Sequence, residues 1–581
     1  MSAPRVSITS RLDSFRADPR ADVLIVGGGI NGVSTFRELA LQGVNVALVE
    51  KNDYCSGASA ASSHMIHGGI RYLENGEIRL VQESLLERNR LLATAPHFVK
   101  PLKTTMPIFS IFSGVLAAPL RLVFHRGGKP QERGALLIKI GLMLYDTFGR
   151  NGGTLPRHQF FGRKKSLEVL PSINPDVKFT AHYFDAAIEN PERLALDVVT
   201  DALASGPHAR AINYVEAVEI KGDQVVLKDS VTGETFEFHA PVVINASGPW
   251  TDITNHGFGL KSTYLGGTKG SHVVLDNVEL FDACDGREIF FENDDGRIVL
   301  MYPILGRVLV GTTDIPIDNP SDAVCTEEEV DYFFKLASHV FPAITLDRSQ
   351  IVYRYSGVRP LPAAGDLAPG LVSRDYRIVE DTLSGGQKVL SLIGGKWTTF
   401  RALGEHLANE ALRLLVHPRT VSTVGLAIGG GDNFPTTPAQ RAEWVATHQG
   451  ALPSTRVEQL LTRYGTVAIG IMEDIGLYGD EPLVHTSQYS VGEITSLALR
   501  EHVVTLADVI FRRTLLGFTG AISAESINEI ASIISPILGW TEEELAKQVS
   551  VIPLERSHPA NCGWPILRML PRGPASPMSL L

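Results

Sequence analysis

Short apolar runs and stretches of helical length alternate near the N-terminus and mix through the middle of the chain, roughly residues 100 to 360. The first unit of this pattern is the clearest. Asp22–Val26 (DVLIV) is an apolar, β-branched run followed by glycines, which predicts a buried parallel strand. Residues 27–32 form a turn, and Val33–Gln42 predicts a helix that stops at Gly43, a natural C-cap. Val44–Glu50 predicts a second buried strand, which completes a β-α-β unit. Strand-like runs recur farther on, among them Asp223–Lys228 and Arg307–Gly311. The Gly/Pro-rich stretch IGGGDNFPTTP (Ile428–Pro438) reads as a linker. Beyond it the period changes. Ile527, Ile530, Ala531 and Ile534 share one helical face, and Thr541–Glu544 predicts a capping box that opens another helix.

Composition narrows the classes. With 44% hydrophobic and 20% charged residues over 581 positions, the chain is neither disordered nor a coiled coil. A net charge of −11 argues against nucleic acid as a partner. Cys55, Cys284, Cys325 and Cys562 include no C-x-x-C pair, so neither a thiolate metal site nor a disulfide framework is expected, and no histidine cluster suggests a metal. The N-terminus lacks the apolar core of a signal peptide, which places the expected location in the cytoplasm or at the inner face of the membrane. No unbroken apolar run reaches membrane-spanning length. The nearest, Met106–Phe124, is interrupted by Pro107, Pro119 and Arg121. It reads as two core elements joined by a turn, or as a patch that leans into a bilayer interface.

The turn Gly27-Gly28-Gly29-Ile30-Asn31-Gly32 carries the first chemistry. It follows a strand, opens a helix, and is followed by an acid, Glu50, at the end of the next strand. In that context Gly27 permits the turn, Gly29 lets backbone approach a pyrophosphate, and Gly32 lets helix and strand close up. The helix N-terminus offers N–H donors to the phosphates, and Glu50 suits a ribose diol. Two later strand-turn segments, INASGPW around Ala246 and Gly248 and LIGGKWTTFR around Gly394 and Gly395, favour FAD over a nicotinamide. A helix start near Trp397 would favour negative charge on a reduced flavin.

At this point the chain resembles the FAD-dependent glycerol-3-phosphate dehydrogenases. The resemblance runs in order through GGGINGV (27–33), SSHMIHGGIRYLENGEIRLV (62–81), IKIGLMLYD (138–146), INASGPW (244–250), KGSHVV (269–274), VGTTD (310–314), YSGVRPL (355–361), SRDY (373–376) and GGKWTTFR (394–401). A segment similar to the family's C-terminal domain, EHVVTLADVIFRRT, follows at 501–514. The resemblance implies FAD without a covalent link, a phosphorylated polyol as substrate, and often a quinone acceptor at a membrane surface. It leaves room for a homo-oligomer. It implies cofactor contacts from Gly27, Gly29, Ile30, Asn31, Gly32, Glu50, Lys51, Ser62, Ser63, Gly68, Gly69, Ala246, Gly248, Gly394, Gly395, Lys396 and Thr398.

The expected fold is α/β: a Rossmann-like FAD-binding domain interleaved with a mixed-sheet substrate domain, plus a C-terminal mainly α domain. The expected boundaries are an N-terminal extension (1–19), an oxidoreductase region (20–430), a helical domain (439–552) and a Pro-rich tail (553–581). Within the oxidoreductase region, FAD-binding segments fall at about 20–100, 185–260 and 355–410, and substrate segments at about 100–185 and 260–355.

A phosphate dianion needs several cations, preferably forked guanidinium groups. Arg359, Arg374, Arg71 and Lys396 are the candidates, with Tyr72 beside them. Oxidation of a carbinol needs a base, for which His272 and His67 are the two candidates. The chain departs from the family pattern at His64, where Lys is common, and at Asn190–Leu194 (NPERL). These departures open the choice of polyol phosphate, an erythritol phosphate being the first alternative to glycerol 3-phosphate. A flavin amine or amino-acid oxidase and a non-catalytic FAD-fold protein are the rival classes.

Overall fold

The structure is a computed structural model that describes residues 8–73, 77–110, 135–149, 153–292, 298–363, 374–553 and 560–561. Two sheets organise the first 400 residues or so. The first has six strands in the order Arg377–Thr382, Lys388–Ile393, Val242–Asn245, Val23–Val26, Val46–Glu50 and Ala209–Asn213. All neighbours run parallel except the antiparallel edge pair formed by Arg377–Thr382 and Lys388–Ile393. Val23, Leu24 and Ile25 are wholly buried, as the continuous apolar run of a sheet covered on both faces requires.

The second sheet is mixed. Its central strands include Ile351–Arg359, Thr268–Leu275, Arg307–Gly311, Val99–Ile108 and Phe179–Ile188. The chain crosses between the sheets repeatedly, leaving the first after Glu50, returning at Ala209, leaving after Asn245 and returning at Arg377. Both sheets therefore meet along one seam, and the loops at that seam carry the site.

Helix Ile30–Leu41 starts at Gly29 and is buried along most of its length. Its polar side chains are satisfied by a distant segment. Arg37 donates to the Ala427 carbonyl at 2.5 Å, Glu38 pairs with Arg419 at 2.7 Å, and Gln42 accepts from the Thr420 and Val421 N–H groups. The stretch that reads as a linker begins as packed structure. Gly430 and Gly431 are buried, and a side chain at either would strike backbone at Tyr464 or Thr94. Those glycines serve close packing, a use that composition does not distinguish from flexibility.

The C-terminal part is helical and includes Ser454–Tyr464, Ala468–Tyr478, Val491–Arg500 and Ala524–Leu538. Ile527, Ile530, Ala531 and Ile534 all lie in its core. At Thr541 only half of the capping box forms. Its side chain accepts from the Glu544 N–H, without the reciprocal bond.

Candidate active site

The Gly27–Gly32 turn sits at the C-terminal ends of the parallel strands, where ligands of such sheets bind. Gly27 has φ +110°, and a Cβ there would lie 2.6 Å from the Ala246 carbonyl oxygen. A Cβ on Gly32 would strike the Gly27 carbonyl. Gly29 caps the helix with no side-chain bond, and the Ile30 N–H donates to Ser59 Oγ at 3.0 Å. Glu50 accepts from the Gly28 N–H at 2.6 Å and the Asn52 N–H at 2.9 Å. Burial raises its pKa, and these two donors oppose the rise. The Lys51 ammonium stands 4.5 Å from the Trp250 ring, beside Gly248 at φ +59°.

The seam loop from Ser62 to Tyr72 is pinned from both sheets. Tyr355 OH donates to the Ser62 carbonyl at 2.7 Å, and Tyr302 OH to that of Ser63 at 3.1 Å. Thr398 Oγ1 lies 3.1 Å from both the N–H and the carbonyl of His67. The Gly68 N–H donates to Tyr145 OH at 2.8 Å and to Asp185 Oδ1 at 3.2 Å, and Arg88 pairs with Asp185 at 2.8 Å. Gly69, at φ +72°, leaves room for the Tyr72 ring.

Around Tyr72 the predicted cations converge. Lys396 Nζ is 4.7 Å from the Tyr72 ring and donates to Ser84 Oγ at 3.0 Å. Burial, assisted by Arg374, pushes Lys396 down to about 8 against the pull of Glu83, Glu77 and Asp375. Arg359 and Arg374 share a single carboxylate, Asp314, at 3.3 and 3.4 Å. Arg359 also donates to the Thr313 carbonyl at 3.1 Å and to Thr312 Oγ1 at 3.0 Å. Its guanidinium passes over Gly270, where a Cβ would collide with it. The side chain of Arg71 lies outside the described residues.

The two histidines differ in setting. His67 is partly exposed as a residue, its ring 6.2 Å from the Tyr72 ring, and its pKa is lowered by burial, Lys396 and Arg88 against Asp185. His272 is 2% exposed, with Nε2 2.8 Å from Ser63 Oγ and its ring stacked on Tyr355. Burial, Arg359 and His64 hold the His272 pKa well below its ordinary value.

Comparison with known proteins gives the family. Residues 22–401 match the family described as FAD dependent oxidoreductase, and residues 421–545 match the C-terminal domain of alpha-glycerophosphate oxidase. A glycerol-3-phosphate dehydrogenase of Synechocystis sp. is 32% identical over 91% of this chain and 95% of its own. The chain belongs to the FAD-dependent glycerol-3-phosphate dehydrogenase family. Within or near it, the D-erythritol 1-phosphate dehydrogenase of Brucella abortus is 30% identical over 86% of this chain and 95% of its own. The fold matches the crystal structure of a glycerol-3-phosphate dehydrogenase from Bacillus halodurans with a TM-score of 0.71 at 23% identity, over 94% of this chain and 96% of that one.

FAD is the cofactor of the glycerol-3-phosphate dehydrogenase family, and the described residues fit it. The cradle has no room for a side chain at Gly27, a Cβ on Gly29 would stand 3.3 Å from Ser59 Oγ, and the helix begins without a capping side chain on its own N-cap. Asn31 Oδ1 and Thr399 Oγ1 are buried with no partner, at the turn and at the last strand's exit. Gly394 and Gly395 have φ +88° and +107°, and a Cβ on Gly395 would strike Asn31. The helix after them starts at Phe400, not near Trp397, because Lys396–Thr399 form a turn whose residues bond to Ser84, Ser59 and His67.

Sequence reasoning passed over Asp314, Ser84, Tyr145 and Asp185. Asp314 ends the quoted VGTTD motif, and a lone acid in a segment expected to face a phosphate was the available signal. Tyr145 likewise lies in the quoted IKIGLMLYD motif, and nothing local marks Ser84 or Asp185.

Proposed function

We propose that this protein oxidises sn-glycerol 3-phosphate to dihydroxyacetone phosphate. The convergence of Arg359 and Arg374 on one carboxylate, with Lys396 beside them, carries the reading. Two forked guanidinium groups beside one carboxylate suit a phosphate dianion better than the single carboxylate of an amino acid. Arg359 and Arg374 hold the phosphate, with Arg71 assigned to the same group. His67 is the base that takes the hydroxyl proton. Its backbone is tied on both sides by Thr398, which fixes the ring's origin, and it is the less buried residue of the two histidines. His272 holds Ser63 in place. FAD, when bound, supplies a hydride acceptor for the carbinol hydrogen. Lys396 stabilises negative charge that develops beside it.

An anaerobic titration tests the substrate. Glycerol 3-phosphate should bleach the flavin absorbance at lower concentration than erythritol phosphate. The reverse order would favour the second reading, for which the Brucella relative and His64 speak. Bleaching by an amino acid and by neither phosphate ester would overturn both.

The acceptor is proposed to be a membrane quinone. Among the described residues no helix is long and apolar enough to cross a membrane. Met106 and Ile108, in the segment suspected as an interfacial patch, are buried, and residues 111–124 lie outside the described ones. Among the described residues an exposed apolar stripe lies on helix Ala135–Gly149, where Leu136, Ile140, Met143 and Leu144 are 45%, 50%, 55% and 44% exposed. Their spacing puts them on one face, suited to lie in a lipid interface. The protein should sediment with liposomes. Ser at Leu136, Ile140 and Met143 together should leave most of it in the supernatant, and unchanged sedimentation would remove the stripe as the docking face.

A further inference from the structure

The C-terminal helices reach back to the cofactor turn through a buried ion network. Arg512 and Arg513 end a π-helical turn, Val509–Arg513, a local distortion often found at functional sites. Both point at Asp53, three residues beyond Glu50. Arg512 Nε donates to Asp53 Oδ2 at 2.5 Å, and Arg513 donates through Nη1 and Nη2 at 2.6 and 2.9 Å. Asn213 Nδ2 donates to the same carboxylate at 2.9 Å and to the His502 carbonyl at 2.9 Å. The side chains of Asp53 and Arg513 are wholly buried.

The residues next to Asp53 touch the dinucleotide turn directly. The Cys55 N–H donates to the Gly28 carbonyl at 2.9 Å. The Tyr54 ring lies under Gly28, 2.8 Å from where a Cβ would stand, and its hydroxyl meets His502 Nδ1 at 3.3 Å. Farther along the same loop, Ser59 Oγ accepts from the Ile30 N–H, and its carbonyl accepts from Trp397 Nε1 at 2.9 Å. Loop 53–59 thus connects the C-terminal domain to both the phosphate turn and the flavin-side strand exit. Charges buried this deeply are a weak source of stability, because desolvation offsets their attraction. What they supply is one fixed arrangement.

We propose that the C-terminal helical domain is a cofactor-retention clamp in which Arg512 and Arg513 grip Asp53 and thereby hold loop 53–59 against the Gly27–Ile30 turn. Arg512, Arg513 and Asp53 are positioning residues, since they act through Tyr54, Cys55 and Ser59. The inference rests on FAD binding at that turn, and a wild-type protein without flavin would refute that reading before the clamp is tested.

The test uses full-length holoenzyme. Arg513→Lys keeps the charge and loses the two-pronged grip. After dilution, free-flavin fluorescence should appear about tenfold faster than from wild type, within the usual range of coupling between separate sites. Amide hydrogen exchange at 53–59 should rise with it. The KM for the polyol phosphate and the flavin-reduction rate at saturating FAD should stay as in wild type. Arg500→Lys, at the Arg500–Asp474 pair inside the same domain, is the control and should leave FAD release unchanged. Wild-type release from Arg513→Lys, or equal acceleration by Arg500→Lys, overturns the clamp. Should Arg513→Lys not fold, Asn213→Ala removes an uncharged donor to Asp53, and wild-type release from that variant overturns the clamp equally.

Discussion

His67→Asn should slow flavin reduction by about 10²–10⁴-fold while leaving the flavin spectrum and the affinity for ketose phosphate nearly intact, the usual scale for a lost general base. Asn keeps the size and some hydrogen-bonding capacity of the imidazole, and Thr398 contacts only the His67 backbone, so the loop retains its anchor. Stopped-flow reduction under nitrogen reads the effect. His272→Asn should act more weakly, through the loss of its bond to Ser63. If the His67 variant reduces at the wild-type rate and the His272 variant does not, His272 is the base.

The pH profile supplies an independent reading of the same pair. Burial lowers the His67 pKa below its ordinary 6.5, so the neutral, proton-accepting form persists into mildly acidic solution. As pH rises through that lowered pKa, kcat/KM should climb and then level. Lys396 is cationic below about 8 and neutral above it, so kcat/KM should fall again on the alkaline side. Lys396→Arg keeps its charge there and should flatten the alkaline limb. A limb that persists in that variant would assign it to another group.

Arg359→Lys should weaken substrate binding by about 1.5–3 kcal/mol, roughly ten- to a hundredfold, the scale of hydrogen bonds to charged groups. Arg359 ends strand Ile351–Arg359, and Pro360 after it keeps its backbone extended. Its guanidinium already holds Thr312, Thr313 and Asp314, which aims the fork. A lysine ammonium is a point charge that cannot keep those contacts and a phosphate together. Titration with the ketose phosphate, followed by flavin absorbance, measures the loss. Normal affinity in Arg359→Lys would move the phosphate site to Arg374 and Arg71.

The first segment of the candidate cofactor site is legible in the sequence because it is local. The strand Val23–Val26, the glycine turn and Glu50 lie within 28 residues, and each uses chain neighbours to make its case. The catalytic half is legible only as a set of residue types. Thr398 and His67 are 331 positions apart, Lys396 and Ser84 312, and no periodicity links them. The choice between two histidines illustrates the limit. Both sit beside apolar residues in sequence, and their difference lies in what packs around them. The linker reading meets a related limit. Glycines that make backbone room for Tyr464 and Thr94 have the same composition as glycines that loosen a chain.

The interleaved path of the two sheets also bears on how the chain is made. The first strand, Val23–Val26, pairs on one side with Val46–Glu50, but its other neighbour, Val242–Asn245, is some two hundred residues downstream. At about 5–20 residues per second, a ribosome needs roughly 10–40 s to deliver that partner. Until then the nascent unit presents an unpaired, wholly apolar edge, the kind that joins other chains. Val242–Asn245 waits in turn for Lys388–Ile393. Soluble yield should therefore respond to translation speed and chaperone supply more than to substitutions on the finished surface.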